Sequence, residues 1–326
     1  MKWFILIFLS ILCYNSGFAQ IHGCTDIEAK NYNPNAILND GSCKYASVKI
    51  KPQFSIPVSD TIHETSGLVF WKDKLWTMND DRDTNLYSID TIGNNLQKYP
   101  LEKVKNRDWE AISQDSSHIY IGDFGNNVSG NRKDLQILKI DKTALLENRT
   151  IVDTIKFSFE DQIDYKSKAA NTTDFDCETL LITRDSIYLL TKEWSSKQTR
   201  LYVLPKNQGA YVAKFKSNLN VNGLITGGVI LEDKRIIALS GYSKKLQPFI
   251  YLLFDYDKND FFSGNKRKIK LALPFHQIEG ITTNNGLQYY LTNEKFERKP
   301  LISVFQQLHK VDLSMFLMSY LSKSSN

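Results

Sequence analysis

HETSGLVFWKDKLWTMNDDRD, residues 63–83, has the rhythm of a β-hairpin. Leu68, Val69, Phe70 and Trp71 form one apolar run, Lys72, Asp73 and Lys74 supply the turn, and Leu75, Trp76 and Met78 form a second run. Its punctuation is distinctive. Glu64 and Ser66 open the first strand, and Asp80, Asp81 and Arg82 close the second. Four later stretches repeat the pattern: DWEAISQDSSHIYIGDFG, DCETLLITRDSIYLLTKE, NGLITGGVILEDKRIIALSG and IEGITTNNGLQYYLTNE. Each is followed by a third strand with a shared ending, at 86–90, 137–141, 201–205, 251–255 and 308–312. Fourth strands read at 96–101, 151–159, 211–215 and 268–273.

A repeat of this size with four antiparallel strands is one blade of a β-propeller. The fifth repeat has no fourth strand after Asp312, whereas residues 48–58 have strand character and no hairpin partner of their own. Pairing that N-terminal strand with the last blade closes the ring. The expectation is therefore an all-β, five-bladed propeller over residues 46–326, with a six-bladed ring as the alternative. No long amphipathic helix is evident.

In a blade, the start of the first strand and the end of the second lie at the same channel mouth. That gathers Glu64, Ser66, Glu110, Glu178, Thr226 and Glu279 around one axis. Around them come Asn79-Asp80-Asp81-Arg82, Asp123 with Asn126 and Asn127, Lys192-Glu193-Trp194, Tyr242 and Asn293-Glu294-Lys295 from the second-strand ends. Converging carboxylates do not all stay ionised without a counter-charge. A ring of carboxylate and hydroxyl oxygens suits calcium. The competing reading makes each opener a strand cap or a salt-bridge partner. Zinc is disfavoured, because the five His have no metal-ligand spacing and there is no CxxC or HExxH.

The E-x-S-x-L-V opener, the second strand ending in D-D-R, and the W-E-A-I and I-E-G openers resemble those of the calcium-activated nucleotidases, or soluble apyrases. The resemblance covers the openers and parts of their hairpins. It implies five blades with an axial calcium ion, and its matching positions are Ser66, Glu110, Glu178, Thr226 and Glu279. It favours Ser66 as the first axial ligand, whereas the internal repeat favours Glu64. D-W-E-A-I and I-E-G-I-T also resemble propellers described as phytase-like esterases, which share the architecture but differ in substrate.

Two functions follow as expectations. One is a calcium-centred binding module for an extracytoplasmic ligand or protein. The other is a calcium-dependent phosphohydrolase acting on a small-molecule phosphoester. In the second, Asp80, Asp81 or Asp123 orients water and Arg82, Lys192 or Lys295 neutralises phosphate. Trp194 and Asn293 are candidate ligand contacts in either case. A Ser-His-Asp hydrolase ranks last, for want of a G-x-S-x-G elbow.

Residues 1–19 read as a signal peptide cleaved after Ala19, so the protein is expected to be exported, to the periplasm, the outer surface or the medium. Residues 20–45 form a short module, GCTDIEAKNYNPNAILNDGSCKY at its centre, resembling one that recurs in secreted Bacteroidetes proteins. A Cys24–Cys43 disulfide is the economical way to close it. Its Asp26, Asn31, Asn33, Asn35, Asn39 and Asp40 suit either calcium or Asx-capped turns. Cys177 then reads as a small buried apolar residue. The net charge of +5, from 41 basic and 36 acidic residues, is spread thinly. Its densest stretch, Lys266-Arg267-Lys268 with Lys270, lacks any stacking platform, which argues against nucleic acid.

Overall fold

The computed structural model describes residues 20–80 and 82–324. The expected signal peptide, 1–19, and Asp81 lie outside the described residues. The described chain is nearly all β and propeller-like. Consecutive strands form antiparallel meanders, the first being Val69–Trp71, Lys74–Thr77, Asn85–Ile89 and Gln97–Pro100. The second is Trp109–Gln114, His118–Asp123, Leu135–Asp141 and Val152–Phe159. The third is Cys177–Ile182, Ser186–Thr191, Gln198–Pro205 and Gly209–Asn220. Leu224–Leu231, Ile236–Tyr242, Pro248–Phe254 and Asn265–Leu271 make the fourth.

The fifth meander has three strands of its own, Ile278–Thr283, Gln288–Asn293 and Gln307–Asp312. Its fourth is the N-terminal Phe54–Pro57, antiparallel to Gln307–Asp312. The first strands of the meanders contact one another in chain order, and the fifth returns to the first. A closed circle of first strands leaves a narrow axis lined by their side chains.

The segment 48–58 is not one strand. Val48–Ile50 pairs in parallel with Asn265–Leu271, and Phe54–Pro57 pairs with the fifth meander. Pro52 has no N–H to offer a ladder, and pairing resumes when the Gln53 amide donates to the Lys310 carbonyl at 2.7 Å. A second parallel contact joins Val152–Phe159 to Gly209–Asn220, fusing the second and third meanders into one eight-stranded sheet.

The chain after Asp312 is a helix, Ser314–Ser324. Its start is fixed by the Asp312 carboxylate, which accepts the Ser314 amide at 2.8 Å. Leu313, Phe316, Leu317, Tyr320 and Leu321 recur at helical spacing and pack on Phe254 and Leu271. At eleven residues it is too short to stand out among strands in the sequence, where only a long amphipathic helix is excluded.

Between meanders the core is aromatic and aliphatic: Tyr120, Phe157, Phe159 and Tyr202 pack with Leu180 and Leu189 between the second and third. Trp76 and Trp109 are core residues, Trp71 is half-buried, and Cys177 is a buried free thiol in that same core.

Cys24 and Cys43 are disulfide-bonded. The module's polar side chains act within turns. Asn31, Asn33, Asn39 and Asp40 each accept a nearby backbone N–H. Asn39 also donates to Asp255 at 2.9 Å and to Asn265 at 3.1 Å, docking the module on the fourth meander. Of the two readings of this stretch, the hydrogen bonds match Asx-capped turns.

Candidate functional site

Every inner strand carries the same irregularity at its opening. Trp109 pairs with Asp123 but Ala111 with Gly122, so Glu110 is an extra residue. Glu178, Thr226 and Glu279 are skipped in the same way between Cys177 and Thr179, Ile225 and Gly227, and Ile278 and Gly280. In the first meander Thr65 pairs with Asn79 while Val69 pairs with Trp76, the same one-residue slip. Ser66 stands one residue after Thr65, as Glu110 stands after Trp109. The repeat-equivalent of Glu110 is thus Ser66, correcting the alignment that put Glu64 there. Such a β-bulge re-aims one side chain without altering the alternation beyond it.

The bulged residues Ser66, Glu110, Glu178 and Glu279 line one cavity of ≈ 210 Å³ at the mouth, together with Asp80, Lys192, Trp194, Tyr242 and Glu294. Thr226 does not line it; its hydroxyl donates to the Ile278 carbonyl. Gly227 follows Thr226 because the strands crowd there: a Cβ would lie 2.4 Å from the Glu279 carbonyl oxygen. Just past the second strand of the third meander, which ends at Thr191, Lys192 and Trp194 line the cavity while the buried Glu193 turns to Arg200 at 3.4 Å.

The charges are unequal. Five carboxylates, Asp80, Glu110, Glu178, Glu279 and Glu294, share the cavity with one ammonium, Lys192, among the described residues. The Lys192 Nζ lies 2.9 Å from Glu178 Oε1, both side chains being buried. Burial alone would push the Lys192 ammonium down, but Glu178, Tyr242, Glu279 and Asp176 together hold it well above its ordinary value. The acids move up. Burial raises Glu110, then Glu178, Asp108 and Asp176 add to it. Burial likewise raises Glu178 and Glu279 well above the usual range, and takes Glu294 up to about 7. Glu178 Oε2 and Glu279 Oε2 are buried without a hydrogen-bond partner. A buried carboxylate oxygen left unpaired is costly.

Other expected site residues lie elsewhere. Asp123 is buried against Arg132 at 2.9 Å and accepts from Gln136, a structural ion pair outside the cavity. Arg82 is exposed, and Lys295 pairs with Glu297 at 3.2 Å. Asn293 is fully buried, donating to the Glu294 and Phe305 carbonyls and facing His309 Nε2 at 2.8 Å. Trp194 does reach the cavity, but its Nε1 donates to Asp176 at 2.8 Å and the Lys192 and Lys197 ammoniums lie over its ring.

Two residues beside the site escaped the sequence reading. Asp108 and Asp176 sit two residues before Glu110 and Glu178, a D-x-E repeated at two openers. Burial and then Asp176 raise Asp108 to about 6. Asp176 is fully buried, where it holds the Asn126 amide at 2.7 Å.

The donor chemistry suits a hard divalent cation, since hydroxyl and carboxylate oxygens line one cavity and two buried oxygens lack partners. Ser66 Oγ and Glu110 Oε2 already approach to 3.4 Å. The acids that come within 4.8 Å of one another, among the described residues, are Glu64, Asp80 and Glu294 at the rim rather than the bulged glutamates.

No family model matches the chain, and no curated protein matches it. Solved structures with similar architecture include the mitotic checkpoint complex, with TM-score 0.39 and 7% identity over 83% of this chain and 98% of that one. Apo AztD from Citrobacter koseri aligns with TM-score 0.38 and 10% identity, over 77% of this chain and 71% of that one. U3-55K aligns with TM-score 0.35 and 10% identity, over 76% and 68%. At these values the likenesses carry no activity to this chain.

Proposed function

We propose that this chain is an exported five-bladed β-propeller that holds a calcium ion on its axis and binds a ligand at the mouth above it. The observation carrying the reading is the pair of buried, unpartnered oxygens, Glu178 Oε2 and Glu279 Oε2, in a cavity with five carboxylates and one ammonium. Ser66, Glu110, Glu178 and Glu279 are the proposed cation ligands. Thr226, at the equivalent bulge, contributes to the shape of the ring through its bond to the Ile278 carbonyl. The five meanders and their returning circle of first strands support the blade count. The disulfide supports export, since such bonds persist in oxidising compartments. No helix of the described residues is long and apolar enough to cross a membrane.

The cavity's excess of carboxylates repels an anion until a cation is present. The ligand is therefore an anionic group, such as that of a small-molecule phosphoester, or a protein side chain of the same charge, completing the ion's coordination. The test is thermal unfolding of the mature chain with and without calcium. A ligand at a hundred times its Kd stabilises by about 2.7 kcal/mol, and Glu178→Gln should abolish most of that gain. No calcium-dependent shift in wild type refutes the axial site.

A second reading, phosphoester hydrolysis, draws on one observation. Glu294, pushed up to about 7 in the cavity it shares with Asp80, is placed to exchange a proton near neutrality. Calcium-dependent phosphate release from nucleoside diphosphates that is lost in Glu294→Gln would favour it. Absence of turnover leaves the binding module.

A further inference from the structure

The axial channel has a second end. Val69–Trp71, Trp109–Gln114, Leu224–Leu231 and Ile278–Thr283 finish around a cavity of ≈ 470 Å³. Glu110 and Gln114 stand at opposite ends of one inner strand, about 13 Å apart at the usual rise. This cavity is therefore remote from the acids at the openers. At the level between the two, beside Leu68, Ile112, Leu180 and Ile281, the void is only ≈ 10 Å³, about the room one water needs.

Much of the far cavity's lining is apolar: Phe70, Trp71, Val229, Ile230 and Leu231 are each half-buried there. The lining also holds a buried cation. Lys142, 5% exposed, is the first residue of the short helix Lys142–Leu146. Its Nζ donates to Gln114 Oε1 at 2.7 Å and to the Asp115 carbonyl at 2.6 Å, and lies 4.9 Å from the centre of the Trp71 ring. Both acceptors are neutral. The Asp115 carboxylate also acts on Lys142, but it is taken up by Lys206 Nζ at 2.9 Å, the Tyr120 hydroxyl at 2.7 Å and the amides of Ser117 and His118. Burial takes the Lys142 ammonium down to about 8, which Asp115 offsets only in part. An ammonium buried beside neutral acceptors is a ready partner for an incoming anion. The volume falls within the roughly 300–1,000 Å³ of small-molecule sites, which pair a mostly apolar lining with a few placed charges.

We propose that this far mouth binds a small amphiphilic carboxylate, its anionic head on the Lys142 ammonium and its apolar body along Phe70, Trp71 and the strand end at 229–231. The site needs no metal and is independent of the calcium reading. A neutral alcohol of the same length fills the same apolar lining and leaves the ammonium without an anion.

Calorimetric titration of the full mature chain in chelator, with octanoate and separately with octan-1-ol, tests this. The expected result is one octanoate per chain, bound about tenfold or more tightly than octan-1-ol, since a hydrogen bond to a charged pair outweighs a neutral one. Lys142→Met should bring octanoate to the level of octan-1-ol, and Lys142→Arg should keep the preference. Ile230→Asp should weaken both ligands, which locates the site even where Lys142→Met does not fold; circular dichroism reports folding of each variant. Glu178→Gln, at the other mouth, should change neither affinity. No octanoate binding, equal binding of the two ligands, or a preference that survives Lys142→Met overturns the proposal. Octanoate binding that is lost in a folded Glu178→Gln places the ligand at the other mouth and overturns it too, whereas failure here leaves the axial calcium reading standing.

Discussion

Replacing Lys192 with Met keeps the unbranched apolar stem out to the ε position and deletes the one ammonium among the cavity's acids. Glu178 then loses a partner at 2.9 Å while both sites stay buried. Removing one member of a buried ion pair typically costs about 3–5 kcal/mol. That cost has a ceiling, because the folded variant can instead protonate Glu178. Neutralising a carboxyl of ordinary value 4.5 costs about 1.4 kcal/mol per pH unit, hence about 3.4 kcal/mol at pH 7 and about 0.7 kcal/mol at pH 5. The sign follows from the upward shift. A carboxyl raised in the folded state stabilises below its unfolded value, and that contribution is lost as pH rises through the folded one. For a chain of this size roughly 2 °C accompanies each kcal/mol, so the variant should melt about 7 °C below wild type at pH 7 and within about 2 °C at pH 5. Added calcium should narrow the gap at pH 7, since a cation beside Glu178 replaces the lost ammonium and spares the carboxyl its protonation. Thermal scans at both pH values, with calcium and with chelator, give the four numbers required. A deficit that is equal at both pH values, or indifferent to calcium, refutes the assignment of Lys192 as the cavity's internal counter-ion.

Two further expectations concern the frame around the site. Gly227→Ala puts a Cβ 2.4 Å from the Glu279 carbonyl oxygen, a backbone atom that cannot swing aside; denaturant unfolding should show a loss of about 1–3 kcal/mol, and an unchanged midpoint would mean the inner strands are less crowded than described. His309 is buried between Ser55 and Asn293, and burial followed by the nearby His276 takes it down to about 3. A histidine depressed in the folded state stabilises above its unfolded value of 6.5 and loses that contribution as pH falls, about 2 kcal/mol by pH 5. The protection factors of the Phe54–Pro57 amides, that is exchange rates corrected for the intrinsic pH dependence of amide exchange, should therefore fall on acidification from pH 7 to 5, and His309→Gln should flatten that dependence. An equal fall in both proteins would place the effect elsewhere.

The meanders were legible because strands announce themselves twice, by period-two alternation and by turn residues, and because a repeat multiplies each weak signal. The third strand ending at Asp141 and the fourth ending at Phe159 are read to the residue. The third meander's fourth strand, by contrast, runs to Asn220 rather than stopping at Phe215. Its continuation, Lys216 to Asn220, is mostly polar, and its order comes from pairing with residues 198–201 rather than from its own composition. The polar cavity was legible only as a list of openers. Nothing in the letters distinguishes Lys192, which points at the axis, from Arg82, which is exposed, because both end a second strand. Asp123 looked equally catalytic, and only its 2.9 Å contact with Arg132 reveals a structural role.

The choice between Glu64 and Ser66 shows why spacing alone fails at this site. Counted as a regular strand, the opener of the first repeat offers its one carboxylate, Glu64, as the match to Glu110, Glu178 and Glu279. The bulge inserts one residue before the ladder becomes regular, and counting back from Val69↔Trp76 across that slip arrives at Ser66. The same slip lets a polar side chain face the axis in each meander while Ile112, Leu180 and Ile281, farther along their strands, stay in the core. Glu64, freed from the ring, sits with Asp80 and Glu294 instead. The first repeat therefore contributes to both groups of acids, a hydroxyl to the buried one and a carboxylate to the rim. Both contributions come from one opener because Glu64 precedes the bulge and Ser66 is the bulged residue itself, so the two side chains go to different neighbours.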